Sequence, residues 1–196
     1  MPVSDRAQEH LFNEIISYYE STIQSLFKEQ SPGKIRTTKA KMVEEIAKKL
    51  VLCACKDANL DNDKIYFKQT TYVIPLHDSY LKGLADSYLK KYISKHKEKF
   101  FYRLGCDVQC YYGNRFLLAI ECKSYTENAM LKRVLVDFSL LKNIFPDTQL
   151  VLLQLESMLG GDYSSLKSNI KGSKATHTIM SYFFRCKLTD YHLAQR

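Results

Sequence analysis

The sequence has no tryptophan and few chain-breaking residues, with 7 glycines and 4 prolines among 196 residues. This scarcity excludes collagen-like and low-complexity structure, and a hydrophobic content of 45% excludes intrinsic disorder. No run approaches the roughly 18 consecutive apolar residues that a membrane span needs. The opening stretch MPVSDRAQEH lacks the apolar segment of a signal peptide. We therefore expect a single domain in the cytoplasm, without contact to a membrane.

No two of the 6 cysteines have the C-x-x-C spacing of a structural zinc site. Cys106 and Cys110 lie in a strand-like run that has no histidine nearby. Such cysteines are typical of buried, reduced thiols, which agrees with a reducing cytoplasm. The sequence also carries no ATPase or helicase motif. Zinc sites and nucleotide-driven activities are therefore not expected.

Acidic residues are in the minority, since 21 Asp and Glu face 29 Lys and Arg and leave a net charge of +8. An excess of this size attracts polyanions through the release of their counterions, and nucleic acid is the commonest such partner. Charge alone leaves open a basic protein that binds no nucleic acid.

Hydrophobic periodicity predicts a mainly helical part over residues 1–99. Thr37 or Thr38 is the expected cap of its second helix, and Pro75 is expected to end its strand. The predicted helices and the strand cover residues 5–28, 38–56, 78–97 and 64–74.

Residues 100–157 have a different pattern, in which two extended segments flank a turn at Gly113-Asn114 and predict a β-hairpin. A helix over residues 126–144 and a buried strand over 149–155 follow. A helical crossover normally returns a parallel strand. The predicted fold class is therefore α/β (α+β), with a central mixed sheet and a hairpin–helix–strand core flanked by helices. Residues 158–196 form a basic C-terminal part and a candidate for DNA recognition.

The second strand of the hairpin carries the residues that point to chemistry. It is apolar over residues 116–120 but ends with Glu121 and Lys123, which project to the same side because side chains alternate along a strand. Placing a carboxylate and an ammonium there costs desolvation unless they serve each other or bind something. The alternative is a solvated hairpin end with an ordinary ion pair that contributes little.

Asp107 can join this pair in only one kind of register. A two-residue turn without irregularity would place Asp107 opposite Ile120 and point it away from Glu121. An odd-length loop or a single β-bulge places Asp107 on the same face as Glu121 and Lys123. A nuclease site built on these residues therefore predicts an odd-length loop or a bulge.

The spacing of Asp107, thirteen intervening residues that end with an isoleucine, and then Glu121-Cys-Lys123 resembles the signature of the PD-(D/E)XK nuclease superfamily, to which many Type II restriction endonucleases belong. The predicted order of hairpin, helix and buried strand over residues 104–155 also matches the core of that superfamily. Cys106 stands where the family pattern often has proline.

The resemblance implies an endonuclease that hydrolyses double-stranded DNA with Mg²⁺, most simply a sequence-specific Type II restriction enzyme. It assigns catalysis to Asp107, Glu121 and Lys123. The Mg²⁺ ligands that it implies are Asp107, Glu121 and the main-chain carbonyl of Cys122, a set of hard oxygen atoms. Lys123 would orient the attacking water or stabilise developing negative charge.

In related nucleases an acidic residue from an early helix often completes the metal site, and Glu44 and Glu45 are the candidates here. Glu45, which precedes an apolar position, is the candidate for a further metal ligand, and the choice between the two glutamates stays open. The alternative is an exposed helix surface on which both glutamates pair with lysines four residues later. Gln154 and Glu156 on the last core strand are expected to border the site or to be ordinary sheet residues.

Five basic residues are candidates for DNA contact: Lys132 and Arg133 after the ExK motif, and Lys167, Lys171 and Lys174 in the basic C-terminal part. Ordinary solvated lysines are the alternative. Cutting both strands with one site per chain predicts a homodimer on double-stranded DNA. Two other functions stay open, a structure-selective repair or Holliday-junction nuclease and a non-catalytic DNA-binding module.

Overall fold

The computed structural model describes residues 5–28, 31–157, 178–179 and 181–183. No helix in these ranges is both long and apolar enough to cross a bilayer. The helices and strands are α1 (Asp5–Phe27), α2 (Pro32–Asp57), β1 (Ile65–Phe67), β2 (Tyr72–Ile74), α3 (Asp78–Gly83), α4 (Ser87–Lys95), β3 (Tyr102–Leu104), β4 (Val108–Tyr112), β5 (Arg115–Thr126), α5 (Asn128–Ile144) and β6 (Gln149–Ser157).

A four-stranded sheet in the order β1-β4-β5-β6 forms the centre of the described fold. β1–β4 and β4–β5 are antiparallel pairs, whereas β6 returns parallel to β5 after the crossover through α5. β2 and β3 form a separate antiparallel pair. The mixed sheet with its flanking helices confirms the predicted fold class.

Both faces of β5 are covered by helices. Val43 and Ile46 of α2 pack with Ile120 in one core, and Leu141 of α5 packs with Ala119 in a second core on the opposite face. Fully burying an aliphatic side chain of this kind contributes about 1.5–3 kcal/mol. The apolar run of β5 is thereby explained. The strand does not end with Glu121 and Lys123 as predicted but continues to Thr126, because β6 pairs with it over its whole second half.

The start of α2 differs from the prediction. The helix begins at Pro32, not after Thr37 or Thr38, and the extended Ser31 occupies the N-cap position. Proline is well suited to the first turn of a helix because its missing N–H would have no helical partner there. The Ser-Pro pair that suggested only a chain break is therefore a helix start.

Two predicted elements are each divided in the structure. The strand expected over residues 64–74 is two short strands separated by residues 68–71, and the helix expected over 78–97 is α3 followed by α4. The helical break has a local cause, because the Asp86 carboxylate accepts a hydrogen bond from the Leu89 N–H at 2.9 Å and caps a new helix.

The β4–β5 hairpin has a two-residue turn and a bulge. Tyr111 pairs with Phe116 next to the turn, but Cys110 pairs with Leu118, so that Leu117 is the extra residue. One extra residue changes which side chains share a face beyond that point. The bulge that a nuclease site requires is therefore present, and this prediction is confirmed.

Gln109 of β4 is buried, with 1% exposure, and its amide is bonded on both sides. Its Oε1 accepts hydrogen bonds from the Thr70 N–H at 3.0 Å and from the Tyr72 hydroxyl at 3.2 Å. Its Nε2 donates to the Thr70 carbonyl at 2.7 Å. The side chain therefore acts as a substitute peptide group that fixes residues 68–71 against β4.

Replacing Gln109 with leucine is expected to lower the free energy of unfolding by about 1–3 kcal/mol, because the N–H and C=O of Thr70 lose their partner. The measurement is urea denaturation followed by circular dichroism. The control is Gln149→Leu at the exposed start of β6, for which we expect a change within about 0.5 kcal/mol. Equal effects of the two substitutions would contradict a structural role of Gln109.

Candidate active site

Asp107 lies just before β4 and reaches the polar residues in the middle of β5. Val108 pairs with Ile120 after the bulge, and one further step in this register brings Asp107 opposite Glu121. The Asp107 Oδ2 accepts a hydrogen bond from the Cys122 N–H at 2.7 Å. The carboxylate is therefore held at the main chain of the ExK motif, on the face predicted from the sequence.

The Lys123 ammonium lies among three oxygen-bearing groups. Its Nζ donates to Glu121 Oε1 at 2.6 Å and to the Cys122 carbonyl at 3.2 Å, and it lies 3.5 Å from Asp107 Oδ2. The three charged side chains are between 22% and 33% exposed, unlike those of a freely solvated ion pair. The groups that the resemblance assigns to metal binding therefore surround the positively charged ammonium of Lys123.

Burial and charge have opposing effects on Lys123. Burial alone would lower the pKa of its ammonium, but the hydrogen bond to Glu121 and the charges of Glu121 and Asp107 outweigh burial and raise the pKa above its usual value. Burial raises the pKa of Glu121, and Lys123 offsets this effect only in part. The lysine is therefore held in its charged form beside the two carboxylates.

The two glutamates of α2 differ in their surroundings. Burial, followed by the charge of Asp107, raises the pKa of Glu44. Glu45 is exposed and forms an ion pair with Lys48 at 2.7 Å. Of the two candidates, Glu44 therefore shares the electrostatic environment of Asp107, whereas Glu45, the one named from the sequence, is paired with Lys48.

A cavity of about 430 Å³ opens beside this cluster, and Asp107 and Glu121 form part of its wall. Arg133 and Asp137 of α5 also line this cavity, together with Arg103 of β3. The cavity wall thus combines carboxylates with guanidinium groups.

Asp137 is a site residue that the sequence analysis missed. Its carboxylate accepts a hydrogen bond from the Tyr102 hydroxyl at 3.4 Å and lies 3.8 Å from the Nε of Arg133, four residues earlier on α5. Its charge also contributes to the raised pKa of Glu121. The available signal was the i, i+4 spacing from Arg133, a predicted DNA contact.

The cysteines at the site are not suited to thiolate chemistry. Burial, together with the charges of Glu121 and Asp107, raises the pKa of the Cys106 thiol to about 12. Burial also raises the pKa of Cys122.

In the described part of the chain, no group of three or more His, Cys, Asp or Glu side chains is arranged to hold a metal ion. A cation here would therefore depend on two carboxylates, a main-chain carbonyl and water.

The remaining predicted site residues divide into two groups. Lys132 and Arg133 are exposed in the first turns of α5, and Arg133 also lines the cavity. Gln154 pairs with Lys123 across β5 and β6, and its buried Oε1 has no hydrogen-bond partner among the described residues. Lys167, Lys171 and Lys174, like the side chain of Glu156, lie outside the described residues.

Comparison with known proteins adds an independent observation. The chain is 43% identical over 152 residues to the Type II restriction enzyme DdeI of Desulfomicrobium norvegicum (strain DSM 1741 / NCIMB 8310). It is similar to a restriction endonuclease. The matched region covers 77% of this chain and 63% of that enzyme, so the chain spans less than two thirds of its relative. No family model matches the chain.

The oxygen atoms around Lys123 fit a hard divalent cation. Mg²⁺ prefers oxygen ligands, and it is usually bound by one or two carboxylates while keeping several waters. The Asp107 and Glu121 carboxylates and the Cys122 carbonyl supply such a set, and their convergence on the Lys123 ammonium shows that they stabilise positive charge. The thiols with raised pKa values offer no competing soft ligand.

Proposed function

We propose that this chain is a Mg²⁺-dependent endonuclease of the PD-(D/E)XK superfamily, and that it hydrolyses double-stranded DNA as a sequence-specific Type II restriction enzyme. The observation that carries the proposal is the convergence of Asp107, Glu121 and the Cys122 carbonyl on the Lys123 ammonium. The similarity to a Type II restriction enzyme supports the same function.

In this proposal the carboxylates of Asp107 and Glu121 and the Cys122 carbonyl would hold Mg²⁺. The chemistry supplied by the bound ion is polarisation of the scissile phosphate and a lower pKa for a coordinated water. Glu44 of α2 stands outside this ligand set and acts on it through charge, since its environment includes Asp107. Glu45 is directed to Lys48 and has no role in this proposal.

Lys123 acts on the reacting groups. Its ammonium, kept charged by Glu121 and Asp107, donates hydrogen bonds towards the attacking water and the phosphate oxygen on which negative charge develops. A donor fixed before the reaction stabilises this charge with little reorganisation. Asp107, bonded to the Cys122 N–H, keeps the two strands of the site in register.

The DNA backbone meets the cations at the rim of the cavity. Arg133 and the adjacent Lys132 are exposed at the start of α5, where they can neutralise phosphates near the scissile bond. Lys167, Lys171 and Lys174 remain proposed contacts from the basic C-terminal part. A homodimer about a two-fold axis gives each strand of a palindromic site its own active site. Free thiols at the described cysteines agree with a cytoplasmic enzyme.

The proposal predicts discrete cleavage of DNA that requires a divalent cation. The purified protein is incubated with mixed phage and plasmid DNA in Mg²⁺ or in EDTA, and the fragment ends are sequenced. We expect defined bands in Mg²⁺, one sequence at the ends, and intact DNA in EDTA, because the carboxylates cannot replace the chemistry of the cation. Cleavage confined to branched DNA would indicate a structure-selective nuclease. Binding without cleavage would indicate a non-catalytic module and refute the proposal.

A further inference from the structure

We propose that residues 68–71, between β1 and β2, read DNA bases beside the active site, with Gln69 and Thr71 as specificity-determining side chains. The inference rests on the proposed nuclease function and adds a recognition element to it. Gln69 and Thr71 are uncharged, and neither belongs to the predicted catalytic set.

The position of this segment is defined by the cavity. Gln69, Thr70 and Thr71 line the same cavity as Asp107 and Glu121. The Gln69 Nε2 lies 3.5 Å from the main-chain oxygen of Asp107. In the proposed function, a DNA strand whose phosphate lies at the two carboxylates enters a cavity whose wall includes Gln69 and Thr71.

The segment is also held rigidly, although it belongs to no strand or helix. The Lys68 N–H donates to the Gln109 main-chain carbonyl at 3.1 Å, and both main-chain polar groups of Thr70 are bonded to the Gln109 side chain. A buried glutamine used in this way fixes the backbone before DNA arrives. A side chain on a fixed backbone loses less entropy on binding than one on an ordinary surface loop.

The chemistry of the exposed side chains suits bases better than phosphates. Gln69 and Thr71 are exposed and uncharged, and each carries a hydrogen-bond donor and acceptor. Glutamine can bind the N6 and N7 atoms of adenine with two hydrogen bonds, and threonine can contact several base edges. The positively charged side chains of the cavity, Arg103 and Arg133, lie on β3 and α5. Groups suited to DNA phosphates and groups suited to base edges therefore come from different elements.

The test compares cleavage of the recognised sequence with cleavage of sites altered at one base pair. The recognised sequence is first read from the fragment ends of the wild-type protein, and kcat/KM is then measured on short duplexes for wild type, Gln69→Ala and Thr71→Val. For Gln69→Ala we expect the ratio of kcat/KM between the recognised site and the best altered site to fall about 5- to 100-fold.

Gln149→Ala is the matched control, because Gln149 is also exposed and its Nε2 lies 3.4 Å from a main-chain oxygen, that of Asp147, but it does not line the cavity. Its discrimination ratio should equal that of the wild type. If Gln69→Ala and Thr71→Val both slow all duplexes by one common factor, the segment contacts the backbone only and the inference is overturned. A wild-type protein that cuts no DNA refutes the proposed function itself, and the inference with it.

Discussion

Replacing Lys123 with alanine is expected to lower the rate constant of DNA cleavage by about 10²- to 10³-fold, the loss typical of removing one preorganised donor from a developing negative charge. DNA affinity should change little, because the Lys123 ammonium is directed to Glu121, Asp107 and the Cys122 carbonyl and is only 29% exposed. The measurement is single-turnover cleavage at saturating protein, with DNA binding measured separately.

Lys48→Ala is a closely matched control for this substitution. Lys48 also forms an ion pair with a glutamate, at 2.7 Å from Glu45, and its side chain is 33% exposed. Exposed pairs of this kind contribute little to stability, so this variant should cleave DNA at the wild-type rate. If Lys123→Ala cleaved DNA as fast as Lys48→Ala, Lys123 would be an ordinary structural ion-pair partner.

The features that could be predicted from the sequence are those set by neighbouring residues. The apolar run of β5 ending at Glu121 and Lys123 required a covered strand with a polar end, and the helix before β6 required a parallel return. The nuclease interpretation predicted an odd-length loop or a bulge, since either places Asp107 on the face of Glu121, and the structure has a bulge, at Leu117.

The features that escaped prediction depend on contacts between distant parts of the chain. Two hydrogen bonds between Gln109 and Thr70 join residues 39 positions apart. They hold the segment that separates β1 from β2, where the sequence predicted one continuous strand. Asp137 enters the site only because α5 packs across β5. The choice between Glu44 and Glu45 depends on the exact rotation of α2, which an apolar stripe defines too coarsely.

Replacing Glu121 with glutamine is expected to abolish both cleavage and stabilisation by Mg²⁺. The substitution keeps the size of the side chain but removes a charged oxygen ligand, and it also deprives the Lys123 ammonium of its 2.6 Å partner. For wild type at a Mg²⁺ concentration tenfold above Kd, binding should add about 1.4 kcal/mol and raise Tm by about 3–6 °C. The same addition should leave the Tm of Glu121→Gln unchanged.

Further variants distinguish metal binding from the chemical step. Glu45→Gln removes an exposed glutamate from α2 and should retain the full Mg²⁺-dependent rise in Tm, whereas Glu44→Gln should reduce it, because Glu44 shares the environment of Asp107. Lys123→Ala should retain or increase the rise, since its ammonium competes with the cation for the same oxygens. A variant that binds Mg²⁺ but does not cleave then assigns Lys123 to the chemical step. If Glu121→Gln showed the wild-type rise in Tm, the Asp107 and Glu121 carboxylates and the Cys122 carbonyl would not be the Mg²⁺ site.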